Sequence, residues 1–343
     1  MMEQEAHHLE VRDLRLGPDD VLRAPTNLLR RAFTLLREDF RSRFQGKMKF
    51  YAPGFVRYES SFFDSRPAHF PSISVTGRYC SLNCLHCRGR ILETMIPATS
   101  PDTLYAICRG IREEGGEGCL ISGGCLPDGS VPLNRFVEAI GRIKSELGLA
   151  VVVHTGLIGR GDAIKLAEAG VDAALIDVLG SDETIREVYR LNASVEDYET
   201  ALSNLEQAGL PIVPHVLVGL HYGELRGEAR ALEIIARHNP RAVVVIALMP
   251  IPGTPMEDVE PPPPIDIARV IAAARILMPD TPIALGCARP KGLNRIKTDC
   301  LAVSIGVNAV AFPSEEAVNL ASRLGYQWSF SHKCCSQIFK DLP

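Results

Sequence analysis

The sequence has no apolar run long enough to cross a bilayer. Its longest, residues 242–251, is strand-sized, whereas a spanning helix needs about 20 apolar residues. It also has little excess charge of either sign. The formal net charge is −4, which gives no reason to expect nucleic acid as a partner. Residues 1–10 are polar and carry acids, so they read as neither a secretion signal nor a transit peptide. No short sequence repeat is evident. What is present is a soluble globular composition, 46% apolar and 23% charged. The 343 residues suffice for one large α/β barrel or two ordinary domains. Ten cysteines without a secretion signal read as metal ligands or reduced thiols rather than disulfides. The expected compartment is the cytoplasm, with no membrane role.

Three of those cysteines organise the chain. Cys80-Ser-Leu-Asn-Cys84-Leu-His-Cys87 follows an apolar alternating run, Ile73-Ser-Val-Thr-Gly77. Three thiolates this close suit a soft metal centre. A structural zinc site takes four protein ligands, and an ordinary [4Fe–4S] cluster takes four cysteines. Three cysteines leave one iron open to a ligand that is not protein. The plainer readings are a zinc knuckle with a distant fourth ligand, or reduced cysteines in a core. The spacing, with the aromatic ring of His86 before the last cysteine, resembles the signature of the radical S-adenosylmethionine (SAM) enzymes. The resemblance implies a [4Fe–4S] cluster on Cys80, Cys84 and Cys87, with SAM chelating the open iron through its amino and carboxylate groups.

The chain around this loop reads as α/β. An amphipathic helix is expected over 26–44, with Leu29, Phe33, Leu36, Phe40 and Phe44 on one face. Residues 47–71 read as an irregular lead-in. From residue 72, apolar runs alternate with amphipathic helices. The runs are 72–75, 118–122, 150–154, 171–178, 212–217, 242–248, 282–285 and 307–312. Alternation of this kind implies parallel strands with helical crossovers. Eight units point to a TIM-type (βα)8 barrel. A six-unit partial barrel with two added units is the neighbouring alternative. The expected division is an N-terminal helical extension and lead-in over 1–71, the barrel over 72–313, and a C-terminal helix with a cysteine-bearing tail over 314–343.

A barrel of this kind carries its site at the C-terminal strand ends. The unusual residues fall there: the cysteine triplet, Ser122-Gly123-Gly124-Cys125, His154, Asp177, Gly219-Leu220, Pro250-Ile251 and Cys287-Ala-Arg289, with His215 inside the fifth strand. They meet only if the barrel closes. In radical SAM enzymes a Gly-Gly-Glu segment contacts the SAM amino group. Here Ser122, Gly123 and Gly124 match that place, but Cys125 replaces the acid and puts a soft ligand beside the cluster. The segments 218–224 and 248–255 resemble the biotin synthase-like branch. By that resemblance Gly219 and Leu220 back the adenine, Pro250 and Ile251 shape its pocket, and Asp177 and Glu183 belong to the ribose and methionine region. Arg190 is a candidate clamp for the SAM carboxylate, or a solvated helix arginine.

The other cysteines bear on the specific function. Cys108 and Cys119 read as small core residues. Cys125, Cys287, Cys334 and Cys335 are candidate ligands of a second, auxiliary Fe–S cluster, with Cys300 in reserve. The plainer reading is loose core thiols and an exposed or oxidised tail pair. Arg289 resembles, by position, the arginine ligand of the biotin synthase auxiliary cluster; a structural or carboxylate-binding arginine is the other reading. His154 and His215 read as core or substrate-contacting histidines.

Segments 71–80, 122–132 and 285–290 are similar to the two-protein lipoyl synthases. That resemblance implies sulfur insertion into an octanoyl chain on a lipoyl-carrier protein. It also implies a paralogous radical SAM partner and an electron donor such as ferredoxin or flavodoxin. A 5′-deoxyadenosyl radical would take hydrogen from the chain, and the auxiliary cluster would give up sulfide. Biotin formation or metallocofactor maturation would share nearly every motif. A non-catalytic Fe–S electron carrier or assembly protein and a zinc-binding barrel are the readings from other classes.

Overall fold

The computed structural model describes residues 17–342. The expectation for residues 1–10 lies outside them. Eleven strands form one sheet: β1 (Lys47–Tyr51), β2 (Ser72–Ser74), β3 (Ile96–Pro97), β4 (Gly118–Ser122), β5 (Ala150–His154), β6 (Ala173–Asp177), β7 (Ile212–Val218), β8 (Val243–Ala247), β9 (Ile283–Leu285), β10 (Ala309–Ala311) and β11 (Gln327–Ser331). All neighbours run parallel. The order is β11-β1-β10-β9-β8-β7-β6-β5-β4-β2-β3.

The eight expected runs correspond to β2 and β4 through β10, each followed by helix or turn. They form a curled, open barrel-like sheet. It does not close by pairing β10 with β2, because β10 pairs instead with β1. The lead-in is therefore not irregular throughout: Lys47-Met-Lys-Phe-Tyr51 is a strand between β10 and β11. Its alternation buries Met48 and Phe50 on one face. The central strands are covered on both faces, so they are apolar at nearly every position, as in Val243–Ala247.

The helix Thr26–Phe44 has the expected bounds. Leu29, Leu36 and Phe40 are fully buried against the helices Pro264–Leu277 and Leu293–Ile305. Among the described residues, no helix is long and apolar enough to cross a membrane.

Strand residues alternate between an outer layer under the helices and an inner wall. The inner wall holds Val152, Ala173, Leu175, Val213, Ala242, Val244, Ala284, Ala309 and Ala311. Many of these are small, and the space they leave is filled by the chain's own end. After β11 the chain turns inward. Cys334, Cys335 and Ile338 pack in this inner cluster, and the turn Cys335–Gln337 touches β6, β8 and β10. Two polar ties hold the segment: Tyr51 donates to Asp341 at 2.7 Å and Lys340 pairs with Asp172 at 2.7 Å.

Candidate active site

The loop after β2 carries Cys80, Cys84 and Cys87, and the backbone fixes its path. Asn83 and Arg88 take left-handed conformations, with φ of 51° and 48°. The Leu85 N–H donates to the Val188 carbonyl and the Ser81 N–H to that of Cys125, each at 2.8 Å. The Cys84 thiol reaches the Tyr189 carbonyl at 3.4 Å. The Gly-Gly segment after β4 lies directly on this loop. A Cβ on Gly124 would sit 2.0 Å from the Tyr79 carbonyl oxygen and 2.6 Å from Cys80 Cα. Only glycine allows that approach. The Gly124 N–H donates to Thr76 Oγ1 at 2.7 Å.

The thiols perturb one another. Contact with the Cys125 thiol, helped by backbone N–H groups, lowers Cys80 to about 5 against its burial. Contact with Cys84 lowers Cys87 to about 4. Their partners Cys84 and Cys125 are pushed up, first by those same contacts and then by burial. Ligand atoms of Cys84, His86 and Cys87 lie within 4.8 Å of one another. The His86 ring stacks on Tyr189 at 5.2 Å. Soft thiols of which two ionise readily, on a loop held by backbone contacts, fit a thiolate-held iron–sulfur cluster.

A polar group lines the inner wall next to this loop. His154 and Asp177 end β5 and β6, His215 is the middle residue of β7, and Asp177 is in register with His215. Their ligand atoms fall within 4.8 Å of one another. His154 Nε2 lies 3.3 Å from Asp177 Oδ1, and the Tyr189 hydroxyl donates to Asp177 Oδ2 at 3.3 Å. Burial opposes the Asp177 charge, but His154, His215 and His86 hold its carboxyl well below the usual range. Burial pushes His215 down to about 4 although Asp177 pulls upward. For His154, Asp177 overcomes burial and raises the pKa. His215 Nδ1 is buried with no partner among the described residues. The site therefore offers one fixed carboxylate, one neutral ring and one readily protonated ring.

The remaining expected SAM contacts are spread around this mouth. Glu183 pairs with Arg226. Arg190 ends the turn Ile185–Tyr189 with φ of 56° and is exposed. Gly219 takes φ of 70°, and a Cβ there would meet Pro262 at 2.7 Å. Its N–H donates to Glu228 Oε1 at 2.8 Å, and Leu220 is buried beside it. Pro250 and Ile251 are half-buried in the loop after β8, and Arg90 from beyond the cluster loop donates to the Pro252 carbonyl. Ser122 accepts the Val75 N–H at 2.7 Å.

The cysteines proposed for an auxiliary cluster divide. Cys287 follows β9 and is exposed at the surface, and the surrounding protein and then the charge of Cys334 raise its thiol. Cys334 is lowered to about 7 by contact with Cys335, whose own thiol is pushed up. The tail pair is buried at 6% and 5% exposure, so it is not the exposed pair of the plainer reading. Cys125 does not join this group; it lies against Cys80, because Gly124 seats its segment on the cluster loop. Cys300 faces elsewhere, among Asp299, Glu316 and Arg323. Cys108 and Cys119 are core thiols 3.8 Å apart. Arg289 is fully engaged: Asp299 and the carbonyls of Gly286 and Phe312 take its donors. It is a structural arginine, not a metal ligand.

Sequence reasoning missed two residues here. Tyr189 orients both His86 and Asp177, yet it reads as an ordinary helical aromatic. Glu228 sits beneath Gly219 with burial raising it to about 7. The only signal for it was its place after Gly227, ten residues past β7.

Comparisons with known proteins bear on this site. The model of the radical SAM superfamily matches residues 74–226, and that of the Biotin and Thiamin Synthesis associated domain matches residues 245–330. The chain is 29% identical over 242 residues to the biotin synthase of Halorhodospira halophila, covering 68% of this chain and 69% of that one. It is 33% identical over 183 residues to the biotin synthase of Chromohalobacter salexigens, covering 52% and 48%. Among such relatives the matched share of their length runs from 48% to 76%. The fold resembles methylornithine synthase, with TM-score 0.62, 18% identity and 95% of each chain covered. It also resembles the FeFe-hydrogenase maturase of Carboxydothermus hydrogenoformans, with TM-score 0.65, 17% identity and coverage of 96% and 80%.

Proposed function

Starting from a chain that belongs to the radical SAM superfamily and carries a Biotin and Thiamin Synthesis associated region, we propose that it inserts sulfur into an unactivated alkyl chain. The carrying observation is a second group of thiols apart from the cluster loop: Cys334 and Cys335 lie buried in the inner cluster, and Cys287, exposed after β9, is near enough for their charges to act on one another. One [4Fe–4S] cluster, held by Cys80, Cys84 and Cys87, supplies reductive cleavage of SAM to a carbon radical when it is bound. The rest is done by the chain. Glycine at 123, 124 and 219 lets these turns pack against the cluster loop and Pro262, which fixes their backbone at the mouth. Asp177 stays ionised at neutral pH and offers a fixed acceptor to a ligand hydroxyl or ammonium. The tail packed on Val152, Leu175, Val213 and Val244 closes the inner wall beneath the site and keeps water out from that side. Cys287, Cys334 and Cys335 hold the sulfur-donating auxiliary cluster, with the fourth position supplied otherwise.

The substrate in this reading is an octanoyl chain on a lipoyl-carrier protein. The partners are a paralogous radical SAM protein and a small electron donor such as ferredoxin or flavodoxin. The support is the likeness of segments 71–80, 122–132 and 285–290 to the two-protein lipoyl synthases. A biotin-forming activity is the second reading, favoured by the relatives that bear that name.

The test is product analysis under anaerobic, strongly reducing conditions with an octanoylated carrier protein. Thiolated octanoyl product together with 5′-deoxyadenosine is expected. Cys334→Ser with Cys335→Ser should keep 5′-deoxyadenosine formation and lose the thiolated product. Wild-type protein that cleaves SAM but leaves the carrier unchanged would remove the lipoyl reading. Undiminished sulfur insertion by the double variant would remove the auxiliary-cluster assignment.

A further inference from the structure

Four thiols meet at the cluster loop, not three. Cys125 ends the segment after β4; Gly124 beside it lies against Cys80, and the Cys80 and Cys125 thiols perturb one another. The Cys125 carbonyl accepts the Ser81 N–H at 2.8 Å, one residue past Cys80. Gly124 presses the segment against Tyr79 and Cys80 so closely that no side chain fits between. The Cys125 side chain is thus carried by backbone contacts to Cys80, on the loop whose three cysteines leave one iron without a protein ligand. Cys125 is part-exposed, not sealed in the core. An apolar residue would pack there equally well, whereas a thiol adds a metal donor.

We propose that Cys125 is an exchangeable fourth thiolate of the cluster. It caps the open iron while SAM is absent and gives up that position when SAM arrives. This inference rests on the superfamily reading of Cys80, Cys84 and Cys87 and is independent of the sulfur chemistry. The exchange balances without any electron changing hands. Capping forms an iron–sulfur bond and releases the thiol proton to solvent. On entry, the SAM ammonium must lose a proton to bind as an amine, and the departing thiolate accepts it. One iron–sulfur bond would break as one iron–nitrogen and one iron–oxygen bond form, the carboxylate binding without any proton transfer. The capped cluster, bearing four thiolates, resists both loss of its fourth iron and reduction. Uptake of an electron is thereby tied to the presence of SAM.

The experiment compares wild type with Cys125→Ser and Cys125→Ala after identical anaerobic reconstitution. Each protein is oxidised with ferricyanide without SAM, and the electron paramagnetic resonance signal of a three-iron cluster is counted per chain. Any second cluster contributes alike to all three, so the difference reports on the cluster loop. Both variants are expected to give several-fold more of the three-iron signal than wild type. They should also bind SAM about tenfold more tightly, or about 1.4 kcal/mol, because no thiolate competes. Equal three-iron signals and equal SAM affinities would overturn the proposal. Failure of both variants to take up iron at all would overturn it too, since Cys125 would then be a permanent requirement. An iron content unchanged by replacing Cys80, Cys84 and Cys87 together would instead overturn the cluster assignment beneath it.

Discussion

Arg289 and Asp299 form a two-point ion pair sealed inside the protein. Arg289 Nε lies 2.7 Å from Asp299 Oδ1 and Nη2 lies 3.0 Å from Oδ2, with neither side chain exposed. Nη1 donates to the Gly286 carbonyl at 2.6 Å, and Asp299 Oδ2 also accepts the Ser314 N–H at 2.8 Å. The pair joins the turn after β9, the helix Leu293–Ile305 and the exit from β10. Cys287 lies within the stretch that it pins, so the lock positions a thiol of the proposed auxiliary site.

Asp299→Ala is therefore expected to be severe. Removing one partner of a buried pair leaves the other charge without compensation, at about 3–5 kcal/mol. Replacing both, as Arg289→Met with Asp299→Leu, should cost much less. Urea denaturation of the three proteins checks this. A single variant as stable as wild type would show that the pair adds nothing to stability.

Glu228 makes a pH-dependent prediction. Burial raises its folded pKa to about 7, against about 4.3 for an unfolded chain. Between those values the folded state holds the extra proton, so stability falls as pH rises from about 4 to about 7 and levels off above. Glu228→Gln keeps an acceptor for the Gly219 N–H and removes the titration. It should match wild type near pH 5 and exceed it at pH 8 by roughly 3 kcal/mol at most. Parallel stability curves for the two proteins across this range would rule the effect out.

His215 behaves in the opposite sense. Its folded pKa of about 4 lies below the unfolded value near 6.5. The unfolded state takes the proton first, so this residue contributes stability at neutral pH that is lost as pH falls from about 6.5 through 4. Nuclear magnetic resonance of the ring nitrogens should show His215 neutral at pH 6 while His154, raised by Asp177, is protonated to a larger extent. Asp177→Asn should bring the His154 midpoint down. A His215 midpoint near 6.5 would mean that the ring is solvated, not set in the inner wall.

Much of this arrangement was legible because it is written in local pattern. Val243–Ala247 reads as a doubly covered strand because each residue must meet an apolar neighbour. Cys80, Cys84 and Cys87 share one loop, so their spacing is a local pattern that points to a metal centre. The strands β1 and β11 were missed for the converse reason. Their pairing joins residues about 280 apart, as in Lys47 with Gln327, and both carry polar residues on one face. The burial of the tail was not legible in its sequence, for a physical reason that no short window contains. Cys334 and Cys335 sit in polar sequence, yet they are buried because small wall residues such as Ala284, Ala309 and Ala311 leave room for them. Likewise Cys125 turns to Cys80 rather than Cys287 because Gly124 meets the cluster loop, a contact set by the sheet.

Ile338 tests whether that filling of the wall is what holds the tail cysteines. It is fully buried and packs in the same cluster as Cys334, Cys335 and Tyr51. Ile338→Ala removes about three buried carbons' worth of contact, a change that costs about 2–5 kcal/mol when the site does not collapse. The loss should fall on the tail first, because only a short turn and the ties at Asp341 and Lys340 secure it. In cluster-free protein, timed alkylation followed by peptide mass spectrometry should then show Cys334 and Cys335 modified several-fold faster than in wild type. Cys108 and Cys119, paired in the outer core, should stay protected in both. Faster modification of all four thiols would mean general unfolding. Unchanged rates at Cys334 and Cys335 would mean that β11 alone anchors the pair, and the small-residue wall would lose its role in presenting them.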